Sequence, residues 1–245
     1  MTANIESGVQ LYARIRENSI PTKLKYPIFE NTVDPSDLIE ITGDDKAGNA
    51  LILDFIIQSI TPEEYGGNGT NTIFVNTEHQ LTIPIFIRGL KSFMKHHKIE
   101  NETFIDDCMK NLSIINCYSS DKLKFTFMHI ERLLLENIEI KLVVIDSMFT
   151  YYWMDKPTVG TLTSFQKYCA NNINYLLNVI KDLNVVLICK SINKNLKSNY
   201  NGSKRNYILN ISENGENMYK VEIFEDGVAK NQIQLEVKPF VRLSK

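Results

Sequence analysis

The chain has 245 residues, 43% of them hydrophobic, and its 27 Lys and Arg against 29 Asp and Glu leave a net charge of -2. That length holds one sizeable core, and the near-neutral balance excludes a protein that coats nucleic acid through bulk charge. The charge is unevenly spread, with 14 basic and 21 acidic side chains over residues 1–150 but 13 and 8 over 151–245. The N-terminal residues show no basic region followed by an apolar run, and no stretch approaches the roughly 18 apolar residues of a membrane helix, so no membrane partner is expected. Cys108, Cys117, Cys169 and Cys189 lack Cys-x-x-Cys spacing and read as buried, reduced thiols. The histidines lack metal-ligand spacing, so no metal is expected.

Residues 1–37, with Pro21, Pro27 and Pro35, read as an N-terminal arm containing at most one short helix around 7–16. Residues 38–245 read as the core. Apolar, mostly β-branched runs of strand length recur at Leu38–Ile41, Ile73–Val75, Leu112–Ile115, Leu142–Ile145 and Val185–Cys189. Between them, helical periodicity covers 49–60, 80–97, 122–137 and 162–183. Strands that alternate with helices predict an α/β fold, a mostly parallel central sheet flanked by helices on both faces. After residue 205 the period shortens to two, and Asn214-Gly215 and Asp226-Gly227 separate alternating runs at 207–211, 219–224 and 233–237. These predict a C-terminal antiparallel meander at one sheet edge.

Directly after the first strand, Gly43-Asp44-Asp45-Lys46-Ala47-Gly48-Asn49-Ala50 follows the spacing of a phosphate loop, G-x-x-x-x-G-K-[ST]. Both glycines are in place. Asn49 stands where a lysine reaches the β- and γ-phosphates, and Ala50 stands where a hydroxyl holds Mg²⁺. Asp44 and Asp45 add negative charge where a triphosphate would arrive. Two unit charges ~4 Å apart interact by ~4 kcal/mol at an effective dielectric near 20, so ATP and Mg²⁺ are not expected as cofactors. The rest of an ATPase site is partly present: Glu78 ends the second strand, where a general base could polarise water, and Asp146 ends the fourth, where a carboxylate could meet a Mg²⁺ water. Buried strands also often end in an acid that caps the following turn, and that alternative stays open for both.

The order of these features, with Thr77-Glu78-His79 after the second strand and Val143-Val144-Ile145-Asp146-Ser147 after the fourth, resembles the RecA/RadA recombinase core and its eukaryotic paralogues. Ser7 to Arg14 and the aromatic stretch Ile145 to Asp155 are similar to segments of that family, and the resemblance covers about residues 7 to 190. It implies a RecA-like core and a nuclear role in homologous recombination repair. The implied partners are another RecA-like paralogue in an obligate heteromer and the strand-exchange filament. Asn49 and Ala50 depart from the family pattern, as do Lys190 and Ser191 at the position of a phosphate-sensing pair, so a pseudo-ATPase without catalytic residues is expected.

No acidic residue lies between Asp182 and Glu213, whereas Lys190, Lys194, Lys197, Lys204 and Arg205 fall inside that window. In a RecA-like plan this region faces the DNA axis, and these five residues are expected to contact DNA weakly through its backbone. Two alternatives remain at this stage: an ATPase using Lys46, Glu78 and Asp146, and a stand-alone DNA-binding module working through 190–205.

Overall fold

The structure, a computed structural model, describes residues 7–9, 23–155, 165–191, 200, 202–238 and 240–244. Nine strands form one sheet in the order β3-β2-β4-β5-β1-β6-β7-β8-β9. The first five are β1 (Leu38–Gly43), β2 (Asn71–Asn76), β3 (Leu112–Asn116), β4 (Ile140–Ile145) and β5 (Val186–Lys190), and their pairings with each other are all parallel. Four of the continuous apolar runs therefore become strands buried on both faces, as expected, whereas β3, at the sheet edge, is only half-buried. The meander comprises β6 (Asn206–Glu213), β7 (Met218–Glu225), β8 (Val228–Lys238) and β9 (Phe240–Ser244). Its first strand pairs parallel with β1, and only the later pairings are antiparallel.

Helices cover both faces. On one side α1 (Asp45–Ile60), α2 (Ile83–His97) and the short α3 (Phe104–Lys110) pack Leu51, Ile52, Phe55, Phe86, Leu90 and Phe104 onto Ile39, Ile41, Phe74, Val144 and Ile188. On the other, α4 (Ser120–Glu136) and α6 (Phe165–Ile180) pack Phe127, Ile130, Ile173 and Leu177 onto Leu38, Ile73, Val143 and Leu187, with the single turn α5 (Tyr152–Asp155) between them. All four cysteines are free and buried. Among the described residues, no helix is long and apolar enough to cross a membrane.

One expectation about the arm is untested and one is modified. The helix expected around 7–16 lies almost wholly outside the described residues. The rest of the arm is part of the core: Leu24, Tyr26, Ile28 and Val33 are buried in the α1-side cluster, and a bridge joins Leu24 to Val33. Tyr26 packs edge-on against Phe55, with ring centroids 4.7 Å apart, and its hydroxyl meets Ser59 Oγ at 2.7 Å. Apolar side chains at 24, 26, 28 and 33 outweigh the three prolines because burial of each stabilises by ~1.5–3 kcal/mol.

Candidate functional site: a buried lysine at the carboxyl edge of the sheet

The carboxyl ends of β2, β4, β5 and β1, four neighbours in the sheet, bring Glu78, Asp146, Lys190 and Gly43 to one edge. This is where parallel α/β sheets hold their ligands. The segment between the two glycines does not form a phosphate-wrapping loop. It is wound into α1, which starts at Asp45, so Gly48 lies in the first turn of the helix. Asp44 causes this by capping: its Oδ1 accepts from Ala47 N at 2.8 Å and its carbonyl accepts from Gly48 N at 2.9 Å. The amide of Asp44 itself donates to Ile211 O of β6 at 3.1 Å. Three amides that a phosphate would require are thus committed to the protein.

Gly43 remains glycine for a reason unrelated to phosphate. Its φ is +102°, and a Cβ there would sit 1.9 Å from Ile211 O.

The position of the missing lysine is compensated from the adjacent strand β5, far away in sequence. Lys190, the last residue of β5, lies opposite Ile41 of β1 and is 3% exposed. Its Nζ donates to Glu78 Oε2 at 2.7 Å and to Asn49 Oδ1 at 3.0 Å, and pairs with Asp45 Oδ1 at 3.1 Å. Asn49 completes the bridge by donating from Nδ2 to Gln80 Oε1 at 2.7 Å. The lysine stem runs past Gly48, whose missing Cβ would lie 3.4 Å from Lys190 Cδ. Lys46 points away, with Nζ donating to Asn217 Oδ1 at 2.9 Å. Ala50 and Asn49 instead line a largely apolar groove of about 510 Å³ with Leu53, Leu81, Ile85 and Val237.

Asp146 acts as a strut between strands. Its Oδ1 accepts from Thr77 N at 2.8 Å and Thr77 Oγ1 at 2.6 Å, while Oδ2 accepts from Glu78 N at 3.1 Å. These partners lie at the exit of β2, so Asp146 ties two strand ends together and does not cap the turn that follows β4. Burial raises its pKa against the pull of these donors. Burial also raises the pKa of Glu78, opposed by the Lys190 hydrogen bond and charge.

A Mg²⁺-triphosphate does not fit this arrangement. Two carboxylates, those of Asp45 and Glu78, pair with the one ammonium, and that of Asp146 lies within its electrostatic reach. That ammonium is already paired, and no hydroxyl stands at position 50. A polyanion entering here would have to displace both acids from Lys190.

The DNA-contact set is divided by the structure. Lys190 is corrected: it is buried in the closed site and cannot reach a phosphate backbone, because two acids on the α1 side of the sheet hold it. Arg205 is partly exposed but is engaged within the fold. Its Nη2 pairs with Asp37 Oδ2 at 2.6 Å and Asp34 Oδ2 at 3.0 Å and donates to Thr32 O at 3.2 Å, tying residues 32–37 to the start of β6. Lys204 is exposed, and Lys194 and Lys197 lie outside the described residues. In the aromatic stretch, Tyr151 and Tyr152 are buried, with Tyr151 Oη donating to Cys117 O at 2.6 Å, whereas Trp153 is 69% exposed.

Sequence reasoning placed Lys190 in the DNA-contact set and not in this cluster, and it missed Glu40. Lys190 could have been found as a charge ending an otherwise apolar strand at the same sheet edge as Glu78 and Asp146. Glu40 is a fully buried carboxylate in the middle of β1, an acid inside an otherwise apolar run.

The strand order, the glycine frame at the end of β1 and the acids ending β2 and β4 define a RecA-like core. A family model described as Rad51 matches residues 27–212, most of the chain, and the chain belongs to the Rad51 family. Among curated proteins, DNA repair protein XRCC2 of Mus musculus is 24% identical over 175 residues, which cover 70% of this chain and 62% of that relative.

Proposed function

We propose that this chain is a non-catalytic recombinase paralogue that acts in homologous recombination DNA repair as one subunit of a complex of RecA-like paralogues, assisting the strand-exchange filament. The observation that carries the proposal is Lys190, which occupies the nucleotide site of a Rad51-family core and is neutralised there by Glu78 and Asp45. Neither ATP nor Mg²⁺ serves as a cofactor in this role. Kinship with a protein named for DNA repair supports the process and a nuclear location. The obligate partner is another RecA-like paralogue, because RecA-like subunits work as assemblies and this one brings no turnover of its own.

DNA contact is weak and rests on Lys194, Lys197 and Lys204, since Lys190 and Arg205 are neutralised within the fold. This loss of two cations disfavours a stand-alone DNA-binding module. An ATPase using Lys46, Glu78 and Asp146 is disfavoured because each of the three is engaged by a protein partner.

Co-expression with other Rad51-family chains of the same organism tests the proposal. The expected result is a stoichiometric complex with one of them and aggregation of the chain expressed alone. A soluble, monodisperse monomer that co-elutes with none of them would overturn it.

A further inference from the structure

Glu40 sits in the middle of β1, fully buried, opposite Cys189 of β5 and on the sheet face covered by α6. A carboxylate there is costly to desolvate unless it is hydrogen-bonded. Valine or isoleucine would suit the strand better. What distinguishes Glu40 is the origin of its partners. Ser191 Oγ donates to Glu40 Oε2 at 2.7 Å, and Tyr200 Oη donates to the same oxygen at 3.0 Å. Asn206 Nδ2 lies 3.4 Å from Oε1. Ser191 and Tyr200 are both buried, and they flank the segment 192–199.

We propose that Glu40 is a positioning residue, one buried carboxylate oxygen that holds both ends of the segment 192–199 together. Residues 191 and 200 come from chain positions whose convergence costs loop-closure entropy, and a shared acceptor is a direct way to fix their separation. Lys190, the preceding residue, is fixed from the opposite sheet face by Glu78 and Asp45, so the exit of β5 is held from both sides. Cys189, opposite Glu40 in the sheet, keeps its proton: burial raises its pKa, and Glu40 adds to the effect. Any consequence for DNA contact rests on the function proposed above; the hydrogen-bonded arrangement itself does not.

The experiment therefore reads the segment and not DNA. Tryptic cuts after Lys194 and Lys197 are followed by mass spectrometry in full-length protein, with the cut after exposed Lys110 as the internal reference. Ser191→Ala and Tyr200→Phe should each speed cleavage at 194 and 197 about five-fold, and Glu40→Leu about twenty-fold, with no change at Lys110. Glu40→Gln, which retains an acceptor oxygen, should stay within about two-fold of the parent. In the Glu40→Leu background, Ser191→Ala and Tyr200→Phe should add nothing. If Glu40→Leu fails to fold, Ser191→Ala/Tyr200→Phe replaces it, and its cleavage should rise about twenty-fold. Unchanged cleavage in the single-end variants, or end variants whose effects multiply fully with that of Glu40→Leu, would overturn the proposal.

Discussion

Replacement of Lys190 by methionine removes the charge at the centre of the closed site while retaining an unbranched stem. At 2.7 Å from Glu78 and 3.1 Å from Asp45, the Coulomb attraction at an effective dielectric near 20 is ~5–6 kcal/mol for each pair. Desolvation of the ammonium offsets most of it. Asp45 is 68% exposed, so its share falls to roughly 0–1 kcal/mol. Glu78 is 13% exposed and left without its cation, and removal of one member of such a buried pair costs ~3–5 kcal/mol. For a chain of this size the loss lowers the melting temperature by about 10 °C.

The pH dependence gives the signature. Burial raises the folded-state pKa of Glu78, Lys190 restrains that rise, and Asp146 and Asp45 push in the same direction as burial. Without Lys190 the value climbs further. A carboxyl whose folded pKa exceeds its unfolded one contributes stability below the ordinary carboxylate range and loses it as pH rises through the folded value. The Lys190→Met deficit should therefore be largest near pH 8 and shrink toward pH 5, and Glu78→Gln in the same chain should recover most of it. Denaturant unfolding of the parent, the two single variants and the double variant across that range is the assay. A deficit below 1 kcal/mol, one independent of pH, or full additivity with Glu78→Gln would refute the ion-pair account.

Gly43→Ala should destabilise by more than about 2 kcal/mol, through the ~1–2 kcal/mol of a left-handed non-glycine residue and the contact with Ile211 O; a melting temperature within 2 °C of the parent would count against the assigned strand approach. Arg205→Ala should cost about 3 kcal/mol because Asp37, fully buried, is left unpaired. Arg205→Lys should recover only part, since the fork that spans Asp37, Asp34 and Thr32 is lost, and equal stability of the two variants would contradict the clamp.

Much of the core was legible because its signals are local. Val143, Val144, Leu187 and Ile188 read as doubly buried strands and are so, and Asn214-Gly215 and Asp226-Gly227 turn the chain between β6, β7 and β8. The seven-residue α3 was not legible, being too short to display a period. Nor was β9, since Pro239 before it reads as a stop. The start of α1 was misplaced by four residues because the glycine frame suggested a loop, whereas Asp44 caps a helix through the same stretch. At the site, Glu78 and Asp146 were legible as strand-ending acids. What joins them was not: the Lys190 contact to Asn49 spans 141 residues and the Ser191 contact to Glu40 spans 151. Such pairings arise from the register of parallel strands, which no local pattern encodes.

The claim that the nucleotide site is closed is tested most directly by thermal unfolding of the protein, with its partner when one is required for solubility, in the presence of 0 to about 5 mM MgATP. Ligand present at 100-fold its dissociation constant stabilises by ~2.7 kcal/mol, which for this length is a shift of roughly 5–10 °C. With a partner present, the same titration on a complex whose partner phosphate-loop lysine is replaced by alanine isolates this subunit. The account predicts a shift below about 1 °C across the series; a saturable shift of several degrees with a micromolar midpoint would contradict it.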